Sequence, residues 1–368
     1  MLPPALFRRK SIDRILAEEA RTEGRLRRVL GPWDLTLLGV GGIVGAGIFA
    51  LVGSAAAGDA VRPGAGPAIV VSFALTGIAC VFTALCYAEF ASLVPISGSA
   101  YSYAYSTLGE LVAWIIGWDL VLEYAVGNVA VAVSWSGYFC HFLNGFGINI
   151  PPYLASDLQT ARAHAEIMAA APHVFGIPLV INLPAIAIVA AITVVLVIGI
   201  KASARFNAVM VGIKLVILAF FILVGSCYVR PANWSPFAPN GWAGIQSGAA
   251  VVFFAFIGFD AVSTTAEECR NPNRDLPIGI LASLGICTLI YIVVAVVLTG
   301  MIPWPRLNTA EPLSVAMREI HLNWAAGIVD FGSVVAHGAV LLVFQLGQPR
   351  ILLSMSRDGL LHRSAEDA

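Results

Sequence analysis

The stretch LGVGGIVGAGIF, from Leu38 to Phe49, lies in the first long apolar segment of the chain. It holds five glycines within nine positions: Gly39, Gly41, Gly42, Gly45 and Gly47. Because each glycine costs a helix about 1 kcal/mol relative to alanine, the pattern predicts an interrupted helix. Non-helical backbone at membrane depth persists only where protein or a water-filled cavity satisfies it, so the interruption predicts a ligand site. Close helix packing through the GxxxG pair Gly41 and Gly45 is the alternative.

Composition places the chain among polytopic membrane proteins. Hydrophobic residues make up 58% of the 368 residues and charged residues only 12%, and several runs exceed the ~18 apolar residues that mark a spanning helix. The formal net charge of −1 gives no support to nucleic-acid binding. The six cysteines match neither a disulfide framework nor a CxxC metal site. With no Ser/His/Asp or metal-ligand pattern in the sequence, we expect no enzyme, no cofactor and no metal.

The fold class expected from these runs is an all-α polytopic membrane protein with about eight transmembrane helices. The spans are expected at residues 34–57, 67–93, 111–143, 182–200, 206–228, 243–266, 278–301 and 324–346, which together form a transporter domain over residues 34–346. Residues 1–33 are expected to form an amphipathic cytoplasmic segment, residues 144–181 a long external loop, and residues 347–368 a cytoplasmic tail. The third stretch would be about 50 Å long as a helix and is interpreted as one tilted span.

The basic residues predict an orientation. With the N-terminus inside, 15 lysines and arginines lie on the cytoplasmic side and five outside, which leaves Lys214 within the membrane. This asymmetry follows the positive-inside rule, so we expect a multi-pass protein of the cell membrane with both termini in the cytoplasm. Splitting the third span in two would invert every later loop and place four basic residues outside: Lys201, Arg205, Arg270 and Arg274.

A second predicted interruption, in span 6, supports the interpretation of the first as a ligand site. The stretch FFAFIGFDAVSTT, residues 253–265, contains Gly258 and Asp260 within an apolar run. Spans 1 and 6 are five apart, as expected when two inverted halves of five helices each contribute one broken helix to a site at mid-membrane. The free N–H groups of one half-helix would bind a carboxylate, and unwound carbonyls would bind an ammonium. A zwitterionic amino acid fits both.

Four long motifs occur in one order along the chain: GVGGIVGAGIF, YAEFASLVPISGSAYSYAYSTLGELVAWIIGWDLVLEY from Tyr87 to Tyr124, FFAFIGFDAVSTTAEECRNPNRDLPIGI, and GQPRILLSMSRDGLL. In these motifs the chain resembles the amino acid-polyamine-organocation superfamily, and within it the cationic amino acid transporter branch. The resemblance covers nearly the whole chain. It implies a LeuT-like inverted-repeat fold, with helices 1 and 6 discontinuous, and proton-coupled uptake (symport) of amino acids by alternating access.

The resemblance also implies a set of substrate-binding positions. The substrate carboxylate is expected at the backbone of three residues, Gly45, Ala46 and Gly47. The substrate amino group is expected at the carbonyls of four others, Ile43, Phe254, Ala255 and Ile257. The ring of Phe254 would cover the substrate. Relatives often carry a hydroxyl residue where this chain has Ala46, so one polar contact is expected to be missing.

Lys214 lies eight residues into the expected fifth span, between apolar neighbours. A charge at such a depth costs a few kilocalories per mole even on lenient insertion scales. One interpretation is that the side chain snorkels to the cytoplasmic interface. The other is that its amine takes up and releases a proton during transport. The resemblance agrees with the second, because family members place a lysine of span 5 where sodium-coupled relatives bind an ion.

Other polar residues in the spans are candidate partners of this site. Glu123 is expected either to pair with Lys214 or to lie near the substrate, with a structural ion pair as the alternative. Tyr291 is a candidate hydrogen-bond donor in the same region, and Asp260 is a candidate cap for the unwound part of span 6. Packing or gating roles are expected for Glu89 and His337, and a structural role for Asp119.

The chain departs from the family in length. Relatives usually have twelve or more spans, so we expect an incomplete second repeat and a C-terminally truncated chain. The main hypothesis is an amino acid transporter with amino acids, protons and the lipid bilayer as its partners. The alternatives are a non-transporting membrane sensor or assembly subunit, and an inactive remnant. The sequence leaves open whether the substrate is cationic, with Glu123 as the only deep acid, or small and neutral, and it leaves the oligomeric state open.

Overall fold

The computed structural model describes residues 8–11, 28–59, 61–163, 165–174, 177–309 and 311–361. Within these ranges, seven apolar helices are long enough to cross a membrane: Pro32–Ala57, Gly66–Leu93, Glu110–Asn144, Ile200–Ser226, Gly241–Glu268, Pro272–Met301 and Asn323–Arg357. The apolar helix Leu183–Ile198 is shorter, at 16 residues. In chain order these eight are spans 1 to 8. The expected all-helical membrane fold is confirmed. The expected amphipathic segment over residues 1–33 lies mostly outside the described residues.

Short elements connect the spans in the described ranges. The helices among them are Ala100–Thr107, Leu158–Ala163, Ala165–Ala170 and Pro312–Glu319. The 3₁₀ turns are Gly66–Ala68, which opens span 2, Pro152–Leu154, Pro231–Trp234 and Trp304–Leu307. The strands His173–Val174 and Ile177–Pro178 pair antiparallel, with His173 opposite Pro178. The loop expected over residues 144–181 therefore contains short helices and a small hairpin.

Three span boundaries differ from the sequence expectation because the helices continue beyond their apolar stretches. Span 5 begins at Ile200, directly after Gly199 with its φ of 124°, so the expected basic loop 201–205 is helical. Span 7 begins at Pro272, and span 8 continues to Arg357. The extra turns of span 8 are held by ion pairs to the end of span 6. Hydropathy reports where a helix meets lipid, whereas these turns are stabilised by protein contacts.

Spans 1 and 6 are both interrupted. In span 1, the helix Pro32–Ile43 (span 1a) ends at an extended Val44, and a π-helical turn, Gly47–Leu51, leads into Val52–Ala57. Residues 47–57 are span 1b. In span 6, the helix Gly241–Val252 (span 6a) passes through the 3₁₀ turn Phe253–Ala255 into non-helical backbone, and a 3₁₀ helix, Asp260–Glu268 (span 6b), follows.

The two interruptions touch each other backbone to backbone. Gly258 has a φ of 118°, and a Cβ added to it would lie 2.8 Å from the carbonyl carbon of Gly42. A Cβ added to Gly47 would collide with the Cβ of Ala255. The glycines therefore allow the two interrupted segments to cross with their backbones in contact, at a distance that side chains at these positions would prevent. The remaining spans pack around this crossing, with span 8 against span 3 and span 7 against spans 1a and 2.

Replacing Gly258 with alanine is expected to lower the free energy of unfolding by roughly 2–4 kcal/mol, because the alanine must adopt a left-handed φ and press on Gly42. Thermal unfolding of the detergent-purified protein measures the loss. Gly137→Ala on span 3, where an added Cβ meets nothing within 4 Å, is the matched control and is expected to be neutral or stabilising by up to about 1 kcal/mol. Equal effects of the two substitutions would contradict the crossing.

Candidate functional site

A cavity of about 830 Å³ lies at the crossing of the two interrupted spans. Five of the expected substrate-binding residues line it: Ile43, Ala46, Gly47, Phe254 and Ile257. Phe254 is 64% exposed, and its role in covering the substrate stays a prediction. The other two expected residues are set back from the cavity. A Cβ on Gly45 would meet Val340 of span 8, and Ala255 is only 1% exposed.

The interruption of span 1 leaves backbone groups of opposite polarity on its two sides. The first N–H groups of a helix have no partner within that helix, and the helix dipole is positive there. Span 1b begins at Gly47, so its positive end lies beside the cavity. The N–H groups of Ile48 and Phe49 share the carbonyl oxygen of Gly45 as their acceptor, at 3.2 Å each. The positive end suits a carboxylate. The last carbonyls of span 1a lie on the other side of the break and carry the negative end of a dipole.

Lys214 of span 5 satisfies those carbonyls. Its Nζ donates to the carbonyl oxygens of Val40 at 3.0 Å, Gly41 at 3.0 Å and Val44 at 2.8 Å. The side chain is 0% exposed, so it does not snorkel to an interface. Because an ammonium has three hydrogens, all of them are used, and the expected alternative of a pair with Glu123 is not formed. A cation at the C-terminal end of a helix is also favoured by the dipole.

Tyr291 of span 7 joins the two interrupted spans. Its hydroxyl lies 2.6 Å from the carbonyl oxygen of Ile43 and 2.9 Å from that of Ala255. These are two of the carbonyls expected to bind a substrate amino group. A carbonyl oxygen has two lone pairs, and the hydroxyl has only one hydrogen to share. The carbonyl of Ile43, which is on the cavity wall, therefore keeps capacity for an ammonium, while Tyr291 fixes its separation from the carbonyl of Ala255.

Asp260 organises the start of span 6b. Its carboxylate accepts a hydrogen bond from the N–H of Gly258 at 3.2 Å and another from the hydroxyl of Tyr124 at 2.7 Å. Tyr124 belongs to span 3, so this contact also ties span 6 to the surrounding helices. The neighbouring residue Glu123 lies on the cavity wall, and its place near the substrate stays a prediction. Two other acids, Glu89 and Asp119, do not line the cavity.

The two ends of the cavity differ. At one end its wall reaches the exposed residues Asp59 and Arg62, which follow span 1b. At the face where span 1a begins, ion pairs join the end of span 6 to span 8. Glu268 pairs with Arg350 at 2.7 Å, and Glu267 pairs with Arg357 at 2.9 Å. The cavity is open toward Arg62 and sealed by these pairs on the other face.

Further contacts strengthen the sealed face. The backbone N–H groups of Val29 and Leu30, just before span 1a, donate to the carbonyl of Glu268 at 2.8 and 3.0 Å. Asp358, at the end of span 8, forms an ion pair with Lys10 and accepts from Tyr101. Glu267, Glu268, Arg350 and Arg357, called the gate below, were not among the predicted site residues. The sequence does contain a signal for them: two glutamates end span 6, and the two arginines of span 8 are seven positions apart, which places them on one face of a helix.

A polar cluster lies at the opposite face, between spans 3 and 8. His141, Glu311 and Asp330 bring ligand atoms within 4.8 Å of one another. The guanidinium of Arg318 lies among them, 2.8 Å from Asp330 and 3.1 Å from His141. It occupies the position that a metal ion would need. Burial raises the pKa of Glu311, while His141 and Arg318 act in the opposite direction. The cluster is an ion-pair network that joins the short helix Pro312–Glu319 to the spans.

The comparisons with known proteins decide the family. A family model described as amino acid permease matches residues 30–365 of this chain. The chain belongs to the amino acid permease family. The expected resemblance is confirmed, and so is the expectation of a transporter in place of an enzyme. The permease is 48% identical to the branched-chain amino acid permease BcaP of Bacillus subtilis (strain 168), over 97% of this chain and 73% of that protein.

Two further relatives show the breadth of the family. The methylthioribose transporter of Bacillus subtilis is 46% identical over 97% of this chain and 73% of its own length. The human cationic amino acid transporter 4 is 38% identical over 93% of this chain but only 52% of its own length. Among solved structures, MhsT in complex with L-phenylalanine superposes with a TM-score of 0.59 at 17% identity, covering 93% of this chain and 77% of MhsT. This likeness confirms the LeuT-like fold.

Tyr291→Phe is expected to lower the free energy of unfolding of the permease by about 1–3 kcal/mol, because two buried carbonyls lose their shared donor. Chemical or thermal unfolding in detergent measures the change. Tyr228→Phe, at a residue that is 41% exposed beyond the end of span 5, removes the same atom and is expected to change stability by less than about 0.5 kcal/mol. If Tyr291→Phe were as neutral as this control, Tyr291 would not hold the two breaks together.

Proposed function

We propose that this amino acid permease takes up its substrate together with a proton, and that the zwitterionic part of the substrate binds between the two interrupted spans. The observation that carries the proposal is the fully buried ammonium of Lys214 among three carbonyls at the end of span 1a. The carboxylate of the substrate lies at the positive end of span 1b, beside Gly47. Its ammonium meets the carbonyl of Ile43, which is on the cavity wall.

Protonation of Lys214 is linked to the position of span 1a. The ammonium has three hydrogens for three carbonyl oxygens, whereas the neutral amine has two and presents a lone pair to the third. Loss of the proton therefore removes a hydrogen bond and the favourable charge at the helix end. A ligand shifts a conformational equilibrium only by its different affinity for the two states. The proton satisfies this condition, because it stabilises the arrangement in which the sealed face is closed.

The side-chain pocket favours a neutral aliphatic amino acid. Its wall is built mainly from apolar groups, among them Val126, Val131, Val251, Ile257 and Phe344. Three ionisable side chains lie on the cavity wall. Asp59 and Arg62 pair with each other at 3.0 Å, and Glu123 is the ionisable side chain in the deep part of the cavity. A relative named for branched-chain amino acids is 48% identical to this chain over 358 aligned residues. A cationic substrate, the other sequence expectation, would have to pair with Glu123.

The distribution of basic residues supports an orientation. Among the described residues, the sealed face carries more basic residues than the opposite face. Those of the sealed face include Lys10, Arg270, Arg274, Arg350 and Arg357, and those of the opposite face include Arg62, Arg306 and Arg318. Under the positive-inside rule, the sealed face is cytoplasmic and the cavity is open to the outside of the cell membrane. The structure then represents the state that receives substrate from outside.

Lys214→Met is expected to abolish the stimulation of valine uptake by an inward proton gradient, because methionine keeps an apolar stem but carries no proton. Labelled valine uptake into proteoliposomes, with and without the gradient, measures this effect. Lys201→Met, at the exposed start of span 5, is the matched control and is expected to keep gradient-stimulated uptake. Thermal unfolding checks that both variants fold.

The outcomes separate the hypotheses. Gradient-stimulated uptake that persists in folded Lys214→Met would contradict proton coupling through this residue. Valine binding to the unsubstituted protein without any flux would favour the alternative of a membrane sensor. Competition by excess lysine that exceeds competition by leucine would overturn the assignment of a neutral substrate.

Cysteine labelling tests the orientation. In a chain with the three cysteines that are not buried, Cys86, Cys140 and Cys227, replaced by alanine, Arg62→Cys is expected to react with a membrane-impermeant maleimide in intact cells. Arg274→Cys, exposed at the start of span 7, is expected to react only after permeabilisation. The reverse pattern would place the termini outside the cell.

A further inference from the structure

Ser134, on the cavity wall, and His337, buried behind it, form a polar pair that has no role in the transport steps above. Ser134 lies on span 3 and lines the cavity. Behind it, the Nε2 atom of His337 on span 8 lies 3.0 Å from the Ser134 hydroxyl. We infer that this pair is a hydrogen-bond-accepting subsite for an N–H or O–H group on the side chain of the bound solute. The inference rests on the proposed function, since it concerns the same cavity.

The surroundings of His337 fix which ring nitrogen carries hydrogen. Its Nδ1 atom lies 2.8 Å from the carbonyl oxygen of Ser333, one turn earlier on span 8. A carbonyl can only accept, so Nδ1 is the protonated nitrogen, and the Ser333 hydroxyl, 3.3 Å from the same atom, faces an N–H group. The imidazole is 0% exposed, and burial of a charged ring without a carboxylate partner is costly. The neutral ring therefore has a bare Nε2, which is an acceptor.

The tautomer of His337 in turn sets the polarity of Ser134. A hydroxyl has one hydrogen and two lone pairs. Because Nε2 accepts, the hydrogen of Ser134 points away from the cavity and toward span 8. Its lone pairs remain for a molecule in the cavity. A serine hydroxyl with a free hydrogen serves donors and acceptors alike, whereas Ser134 is restricted to accepting.

The pair is held rigidly at the level of span 1b. The ring of His337 packs against the ring of Tyr138, with centroids 5.3 Å apart. The hydroxyl of Tyr138 donates to the carbonyl of Phe49 at 2.8 Å, so spans 1b, 3 and 8 meet here. A positioned acceptor of this kind selects among solutes more strongly than a mobile one, because little ordering is needed on binding.

The position of Ser134 on span 3 defines what it meets. The cavity-facing residues of this span follow helical spacing from Glu123 through Val126, Gly127, Ala130 and Val131 to Ser134. Eleven residues separate the two ends, or about 16 Å along the helix. Along span 3 the cavity wall is therefore apolar between Glu123, toward the sealed face, and the hydroxyl of Ser134, toward the open face. A solute whose apolar side chain carries one hydrogen-bond donor matches the end at Ser134.

Nitrogen NMR of the ligand-free protein tests the tautomer directly. In protein labelled with ¹⁵N-histidine, with the His337 signals assigned through His337→Gln, we expect a protonated Nδ1 and a bare Nε2. Ser134→Ala removes the donor to Nε2 and is expected to move its resonance, whereas Ser136→Ala is not. Ser136 is buried two residues away on the same helix and is not part of the cavity wall. A protonated Nε2 would overturn the inference.

Competition between isosteric amino acids tests the subsite. Threonine and valine have nearly the same shape, but only threonine carries a hydroxyl donor. Ser134→Ala is expected to lower the ratio of apparent affinities, threonine over valine, by between about twofold and tenfold, the worth of one neutral hydrogen bond. His337→Leu frees the hydrogen of Ser134 and is expected to raise the affinity for S-methylcysteine, a side-chain acceptor without a donor, relative to threonine.

Controls keep this test separate from the proposed function. Ser136→Ala is expected to leave the threonine to valine ratio unchanged. A ratio that also stays unchanged in Ser134→Ala, with valine uptake intact, would overturn the subsite while the transport function stands. Failure of the unsubstituted protein to take up either amino acid would refute the proposed function, and the NMR experiment would still decide whether Ser134 is confined to accepting.

Discussion

The structure depends on one constraint: peptide groups released from a helix in the middle of a membrane must find partners within the protein. The interruption of span 1 frees carbonyls on one side and N–H groups on the other. Lys214 and Tyr291 take up the carbonyls of span 1a, and Asp260 takes up an N–H group at the corresponding break in span 6. At the start of span 1b, the N–H groups of Ile48 and Phe49 donate to the carbonyl of Gly45, and the positive end of the helix borders the cavity, where it can attract a substrate carboxylate.

Much of this was readable from the sequence, because glycine density and apolar length are local signals. The stretch around Gly45 and the motif around Gly258 predicted both breaks, and Lys214 stood out as a charge at membrane depth. Other features were not readable. The length of span 8 beyond residue 346 and the gate formed by Glu267, Glu268 and their arginines depend on contacts between segments far apart in the chain. Hydropathy carries no information about such pairing.

The carbonyl groups that accept hydrogen bonds from Lys214 could not be predicted from the sequence either. A buried lysine can snorkel, pair with an acid such as Glu123, or cap a helix end, and the residue types alone do not decide among these. The decision comes from geometry: the side chain of span 5 meets the last turn of span 1a, where three carbonyls converge on one ammonium. The broken helix thus supplies the cation site, and the lysine fills it.

The 3₁₀ form of span 6b has a mechanical consequence. Runs of 3₁₀ helix longer than four residues are uncommon because their hydrogen bonds are poorly aligned, yet Asp260–Glu268 contains nine residues in this form. A 3₁₀ helix rises about 2.0 Å per residue and an α-helix about 1.5 Å. Rewinding this segment into α-helix would shorten it by about 4 Å. With Asp260 anchored at the break, that contraction would pull Glu267 and Glu268 along the helix axis and away from their arginines, so the winding of span 6b bears directly on the ion pairs of the sealed face.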